Sequence, residues 1–594
     1  MRKTIKRLGA VLLAMAMAVS VLCTGALAAE SYTLTIQDSN QNHKYTAYQV
    51  FAGTVQNVEG KDEKQLNVTG WGSGVDPTTK ATSGTYNGKT LVEAIQEIEV
   101  NGAKPFDGKT EPGDIAAILG ESANNSKDSD VAVAFADVVA NYLKGEGNST
   151  GSWTDTAGET LAHYKIANLT GGYYFVKSAN EDNKTDVANT RYMLEVVGNA
   201  TVAAKNGVPT VDKTVQNANN TDKNFADTTT AQVGQTVNFK LTGTLPSNYD
   251  HYKSYEYIFH DTLSKGLTLN ENSIEVKAYK DGNINNTAAG NCVTLTKGSS
   301  NGNYSVLTGT DVSENSDESK TNCTFEVKFT DLKKIEGLDS KSIIVVTYSA
   351  TINGSAIVGS EGNKNTVKLE YSNDPNNTGT GTTKSDEVSV FTFKLDITKV
   401  KKDETDTKLA GAKFVLSTSA DLKIDVTESD ANLNEDVKNN LIKVTGTTPN
   451  YVINDGTNTD TKYIMETATE ENPGQLNITG LNKGVYYLYE TKAPDGYNRI
   501  TEPIKIEITE ATTEKAENGE FSVKTLKYTI GNGTEQTVEN ATTGTISATV
   551  ENTAGSTLPS TGGMGTKLFY TIGGILMAGA AIVLVVRKRR SDAE

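Results

Sequence analysis

Phe391-Thr-Phe-Lys-Leu-Asp-Ile-Thr-Lys399 is the stretch from which the fold can be read. Phe391, Phe393, Leu395 and Ile397 alternate with other residues, so they share one face of a strand, whose successive side chains point to opposite sides. Lys399 is next in that phase. A lysine there ordinarily lies at the strand end and lifts its amine to water, because lysine is almost never fully buried without a partner. The same two-residue rhythm recurs in Tyr32-Thr-Leu-Thr-Ile36, Val237-Asn-Phe-Lys-Leu241 and Phe325-Glu-Val-Lys-Phe329, between Gly, Asn and Asp turn residues. The pattern predicts a mainly β chain of tandem sandwiches, each sheet burying one face. Helical spacing is confined mostly to the first third. Leu91 to Ile98 and Val131 to Leu143 carry it, with Asp130 placed to cap the second, so helices are expected to decorate the first module.

The 594 residues are too many for one domain. Turn-rich breaks at Ala200 to Val208 and Asn373 to Ser385 divide the body into modules 29–205, 206–387 and 388–557. A weak internal repeat accompanies the division, Gly171-Gly-Tyr-Tyr-Phe-Val176 resembling Gly484-Val-Tyr-Tyr-Leu-Tyr489. The net charge of −17 argues against a general nucleic-acid partner, which needs a basic surface to displace counterions. Four His and three Cys leave little material for a metal site, and none is expected, nor any cofactor. Gly102 to Thr110 and Gly84 to Thr90 end in Gly-Lys-Thr, but their spacing is not that of a phosphate loop, and no His-Glu-x-x-His metalloprotease motif occurs. The reading is not an enzyme.

The ends set the destination. Arg2, Lys3, Lys6 and Arg7 precede an apolar run from Leu8 to Leu22 and then Ala26-Leu27-Ala28, the pattern of a secretory signal peptide over 1–28. At the other end, Leu558-Pro559-Ser560-Thr561-Gly562 precedes an apolar segment, Leu568 to Val586, long enough to span a bilayer, and then Arg587-Lys588-Arg589-Arg590, a basic tail kept on the cytoplasmic side. Pentapeptide, span and tail over 558–594 resemble the LPxTG sorting signal of Gram-positive bacteria. The resemblance implies that a sortase cleaves between Thr561 and Gly562 and passes the Thr561 carbonyl to an amine.

Two sets of core-phase polar residues carry the remaining chemistry. Lys399 is in phase with the strand above, Glu490 with Tyr486 and Leu488, and Asn552 with Ile546, Ala548 and Val550. Lys399-Val-Lys-Lys-Asp-Glu, Leu409-Ala-Gly-Ala-Lys-Phe-Val-Leu416, Tyr486-Tyr-Leu-Tyr-Glu-Thr-Lys-Ala-Pro-Asp-Gly-Tyr497 and Val550-Glu-Asn552 are similar to the collagen-adhesin B-type domain, an Ig-like sandwich. That family joins Lys to Asn by a self-made isopeptide bond, aided by the Glu. Burial favours the uncharged amine and the uncharged acid, so the amine is a nucleophile and the acid can polarise the Asn carbonyl, while folding holds the reactants together. In the middle module Lys213 alternates with Val211 and Val215, Asp261 with Tyr257 and Phe259, and Asn365 with Val367, Leu369 and Tyr371. This resembles the A-type relative, implying a Lys213–Asn365 bond with Asp261 as acid; Asn363, in the same phase, is the second candidate acceptor. The first module has no Glu after its repeat, and no such bond is expected there.

Val202-Ala-Ala-Lys-Asn206 is similar to the pilin motif of backbone pilins, with Ala203-Ala204 in place of the usual Tyr-Pro. It implies Lys205 as the amine that accepts Thr561 of another copy. The whole chain resembles a sortase-assembled backbone pilin, whose partners are other copies of itself, pilus-class and housekeeping sortases, ancillary tip or base pilins and peptidoglycan. The alternative is a monomeric wall-anchored adhesin for a host or matrix ligand. Signal cleavage removes Cys23, and an oxidising exterior predicts a disulfide between Cys292 and Cys323.

Overall fold

The computed structural model describes residues 30–38, 43–61, 63–121, 124, 129–147, 149–150, 152–154, 162–180, 187–204, 207–221, 224–298, 303–312, 323–375, 378–516, 519–556 and 564–591. The expected signal peptide therefore lies outside the described residues. The body is three successive two-sheet modules, mainly β as the alternation predicts.

In the first module, a sheet ordered Ser152–Thr154, Ala162–Leu169, Tyr32–Asp38, Ala200–Ala203 faces one built on Lys64–Trp71, His43–Asn57, Gly172–Asn180 and Arg191–Val196. The long strand His43–Asn57 feeds two cores. Tyr45 and Ala47 join Leu34, Ile36, Tyr164 and Ile166 between the sheets. Tyr48 and Val50, on the other face, join Leu91, Ile95, Ile115, Phe135 and Val138 under the helices. A register shift between Gln49 and Phe51 turns Phe51 to the helical side as well, as a bulge does when it inserts one residue into the alternation.

The helices differ in detail from their expected form. Leu91–Gln96 opens with a capping box, the Thr90 hydroxyl accepting from Glu93 N and the Glu93 carboxylate accepting from Thr90 N. Asp130–Val139 is capped by Ser129, which accepts from Ala132 N, so Asp130 is not the cap but a first-turn acid favoured by the helix dipole. A third helix, Pro112–Gly120, was not expected. Pro112 suits the first turn, and Ile115, Ala116 and Leu119 are buried, but Pro-Gly at its start reads as a turn.

The middle module packs a sheet ordered Val211–Gln216, Thr236–Thr244, Ile343–Ile352, Leu267–Tyr279, Cys292–Thr294 on one ordered Thr228–Thr230, Asp386–Phe391, Asn363–Ser372, Tyr257–Leu263, Phe325–Phe329, Ser305–Thr308. In the third, Phe393–Lys401 lies in one sheet with Glu404–Lys408, Gln475–Leu481 and Thr545–Asn552. The other sheet contains Lys413–Ser417, Gly484–Lys492, Ile504–Lys515 and Phe521–Ile530. The module boundary falls at Thr392, the one residue between Asp386–Phe391 and Phe393–Lys401, some residues beyond the expected break at 387/388. The alternating run continues through the boundary because both strands are buried, so no change of composition marks it.

Modules two and three share one continuous apolar core. Backbone bonds cross between them, Val233 N to Gly480 O at 3.0 Å and Ser360 N to Thr542 O, and Asn482 Nδ2 donates to Asn220 Oδ1 at 2.9 Å. Modules one and two meet more sparingly, through Asn189 N to Asn373 O, Asn189 Nδ2 to Asp374, Arg191 to the His251 carbonyl and the Lys253–Asp137 ion pair. The C-terminal helix Met564–Ser591 stands apart; within it, Leu568–Ser591 is long and apolar enough to cross a membrane.

Gly359 seals the junction of modules two and three. Its φ is +71°, and a Cβ there would meet Thr543 C at 2.4 Å and Gly544 N at 2.5 Å. Gly359→Ala is expected to cost more than about 1 kcal/mol and to open the junction to protease, read by denaturant unfolding and limited proteolysis. Gly456→Ala, with φ +89° but open space around it, is the control that carries only the backbone strain.

Candidate functional site

Lys213 and Lys399 are the buried lysines among the described residues. Each meets a carboxyl and an asparagine carried on separate strands.

In the third module Lys399 sits on Phe393–Lys401, Asn552 on Thr545–Asn552 and Glu490 on Gly484–Lys492 of the facing sheet. The first two strands are parallel neighbours, Lys401 opposite Asn552, so Lys399 and Asn552 share the inner face two residues apart. Lys399 Nζ stands 3.2 Å from Glu490 Oε1. Glu490 Oε2 accepts from Asn552 Nδ2 at 2.9 Å and from Ile500 N at 2.7 Å. Asn552 Nδ2 also donates to Asn498 O at 2.6 Å, which fixes the amide with its nitrogen toward the acid. Lys399 Nζ, Glu490 Oε1 and Asn552 Oδ1 have no aligned hydrogen-bond partner among the described residues. Burial pulls the Lys399 amine down to about 8, against the opposing pull of Glu490.

In the middle module Lys213 comes from one sheet, on Val211–Gln216, and Asp261 and Asn365 from the other, on Tyr257–Leu263 and Asn363–Ser372. Lys213 Nζ donates to Asp261 Oδ2 at 2.5 Å and Asn365 Oδ1 at 2.7 Å. Tyr348, which sequence reasoning missed, completes the group. Its hydroxyl donates to Asp261 Oδ1 at 2.9 Å and accepts from Asn365 Nδ2 at 2.7 Å. The signal was present: Tyr348 alternates with Val346 and Ala350 in Ile343–Ile352. Burial lowers the Lys213 amine to about 8 and raises the Asp261 carboxyl, each opposed by the other's charge. Asn363 is occupied elsewhere. Its Oδ1 accepts from Ile357 N and its Nδ2 donates to Ile357 O and Val390 O.

Both acids sit on the core faces beside lysine and asparagine as the alternation places them, but with a different contact to the amide. Glu490 faces the amine with one oxygen and the amide nitrogen, not its carbonyl, with the other. Asp261 has the same relation, with Tyr348 between carboxyl and amide nitrogen. Each carboxyl thus lies between the lysine amine and the asparagine amide nitrogen, directly in the third module and through Tyr348 in the middle one.

Other expectations fare differently. No disulfide joins Cys292 and Cys323, so the expected bond is not present. They stand on different sheets: Cys292 begins the edge strand Cys292–Thr294 of one sheet, while Cys323 precedes Phe325–Phe329 of the other and packs against His260 and Glu326. Lys205, Leu558, Pro559, Ser560, Thr561 and Gly562 lie outside the described residues. The chain just before Lys205 is held as a parallel edge strand, Val202 opposite Ile36 and Ala204 N bonded to Gln37 O at 2.8 Å. In the first module, Lys177 follows the repeat and lies over the Tyr48 ring.

Fold and C terminus define a modular β-sandwich surface protein with a cell wall anchor. Residues 394–522 match the SpaA prealbumin-like fold domain family, and residues 550–593 match the LPXTG cell wall anchor motif. The trypsin-resistant surface T6 protein of Streptococcus pyogenes serotype M6 is 26% identical over 425 residues, 66% of this chain and 71% of its own length. Among solved structures, the T6 backbone pilin of serotype M6 Streptococcus pyogenes is 19% identical with a TM-score of 0.45, over 89% of this chain and 99% of its own. The full-length major pilin SpaD from Corynebacterium diphtheriae is 15% identical with a TM-score of 0.41, over 89% and 98%.

The lowered lysines make a pH prediction. In Asn552→Ala, which removes the acceptor, Lys399 stays a free buried amine. Its folded pKa of about 8 lies below the unfolded value of 10.5, so above pH 8 the unfolded state binds a proton that the folded state does not. Stability should therefore rise from about pH 8 to about pH 9.5. The check is denaturant midpoints across that window, with Lys399→Met/Asn552→Ala as the background in which the rise disappears.

Proposed function

We propose that this chain is the shaft subunit of a covalent cell-surface pilus, each copy joined by sortase from Thr561 to Lys205 of the next. Its second and third modules are locked by Lys213–Asn365 and Lys399–Asn552 isopeptide bonds. The observation that carries the reading is the pair of buried amine–acid–amide groups, one in each of two consecutive modules, upstream of a cell wall anchor. A filament under tension gains from such bonds; a freely folding monomer has less need of them. Joining the C-terminus of one copy to the first module of another is a heterologous contact that does not close, and repeats as a fibre.

The bond-forming step follows from the contacts. Neutral Lys Nζ attacks Asn Cγ, the Nζ–Cγ bond forms, the Cγ–Nδ2 bond breaks and ammonia leaves. The proton lost by Nζ reaches Nδ2 through Glu490 directly, and through Asp261 and Tyr348 in the middle module. Exclusion of water and fixed orientation supply what an external enzyme otherwise would. Each group reacts once, so this is chemistry without turnover.

The full chain, expressed without sortase and purified in detergent, should lack the mass of two ammonias. Glu490→Ala and Asp261→Ala should each restore one, and an unchanged mass in either variant removes that acid from the reading. Each bond closes a loop of about 150 residues, so its loss should cost up to about 5 kcal/mol on chain-entropy grounds. Tyr348→Phe should leave the third-module bond complete and the middle one incomplete.

Polymerisation is tested in the native host. Lys205→Ala should turn the high-molecular-weight ladder of wall extracts into wall-anchored monomer with both internal bonds intact. A persistent ladder assigns the acceptor to another lysine. A wild-type chain that runs as a single band favours the adhesin.

A further inference from the structure

The outer face of the strand that carries Asp261 holds a second polar group. His260 points away from the sandwich core side occupied by Asp261, and it is buried all the same. Its Nδ1 lies 3.1 Å from Glu326 Oε1 on the neighbouring strand, directly opposite in register. Cys323 Sγ lies 3.9 Å from that same Nδ1 and 3.8 Å from Glu326 Oε1. On the far side of the ring, Nε2 lies 3.0 Å from Glu370 Oε2.

The three mutual separations are those of a metal's ligand atoms. Zinc bonds of about 2.0 Å to nitrogen and oxygen and about 2.3 Å to sulfur place tetrahedral ligands roughly 3.3–3.6 Å apart. Distances of 3.1, 3.8 and 3.9 Å between N, O and S need only small shifts to match. All candidate ligand atoms fall within 4.8 Å of one another. Glu370 adds the feature that distinguishes a metal-binding histidine, a carboxylate on the ring nitrogen opposite the ligating one, which fixes the ring's orientation. Glu326 is buried, whereas Cys323 is half-buried and gives an ion a way in. A hydrogen-bonded histidine between two carboxylates needs no thiol; a site for a thiophilic ion does.

We propose that His260 Nδ1, Cys323 Sγ and the Glu326 carboxylate form a binding site for a zinc-class divalent ion, with Glu370 positioning the imidazole. The ion takes the place of the protons on Nδ1 and Sγ, which leave to solvent, and a water fills the fourth position. It ties Tyr257–Leu263 to Phe325–Phe329 from the face opposite Asp261, and it keeps Cys323 as a ligand rather than a free thiol.

The test uses the full chain, purified in detergent under reducing, metal-free conditions and titrated with Co²⁺. One equivalent should produce a thiolate-to-cobalt absorption band that Zn²⁺ displaces. Cys323→Ser should abolish the band and Cys292→Ser should leave it. Glu370→Gln should keep the one-to-one stoichiometry and weaken affinity about 10- to 100-fold. Because replacing the buried histidine can disturb the sheet, the second readout is thermal unfolding: Zn²⁺ should raise the melting temperature of the wild type and of Cys292→Ser, but not of Cys323→Ser. No saturable binding, a band that follows Cys292, or a melting temperature indifferent to Zn²⁺ overturns the proposal.

Discussion

An amine buried between two β-sheets is the constraint on which the C-terminal two thirds of this molecule depend. Taking a lysine out of water is costly unless its charge is paired or lost. Lys213 and Lys399 are both fully enclosed, and the fold answers by bringing a carboxyl to each. The pairing also sets each strand's position. Lys399 reaches Glu490 only if Phe393–Lys401 and Gly484–Lys492 are packed face to face, and Asn552 reaches the same acid only if the last strand lies parallel beside the first. Of the polar atoms with no aligned partner around Lys399, Nζ is the one that an amide bond to Asn552 would take up, while Asn552 Oδ1 would stay as the amide oxygen. Such orphans ordinarily destabilise a core by about 1–3 kcal/mol each. Here they mark a state that chemistry can relieve.

The two groups solve one problem with different topology. In the third module the lysine and asparagine are neighbours in one sheet and the acid comes across the core. In the middle module the lysine crosses to meet both acid and asparagine on the opposite sheet. A bond in the first case staples the first and last strands; in the second it staples two sheets. Tyr348 belongs to the second arrangement alone, where its hydroxyl stands between the Asp261 carboxyl and the Asn365 amide nitrogen.

Much of this was legible from alternation. A period of two assigns each strand residue to a face, and that was enough to put Lys399, Glu490, Asn552, Lys213, Asp261 and Asn365 on core faces. Alternation could not choose between Asn363 and Asn365, since both share a phase; the hydrogen bonds of Asn363 to Ile357 and Val390 distinguish them. It could not place Cys292 and Cys323 on separate sheets, because strand order is set by pairing across long sequence separations. Nor could composition reveal the group at His260, whose members Cys323, Glu326 and Glu370 are brought together only by three adjacent strands. The helix Pro112–Gly120 was obscured by the residues that start it.

Thr392 has a mechanical consequence. With both internal bonds in place, the only uncrosslinked polypeptide between them runs from Asn365 to Lys399, and most of it is strand. Within that span Asn365 is paired with Val388 at the open end of an antiparallel hairpin, so load through the proposed bonds pulls both strands from the same end and opens the ladder between Asn363–Ser372 and Asp386–Phe391 pair by pair. Thr380–Thr382 is itself paired with Asn363–Ser372, and a single residue, Thr392, joins one sheet to the next. With the proposed bonds in place, modules two and three can lengthen under load only through this segment, and the other place where the chain can yield is the junction of modules one and two.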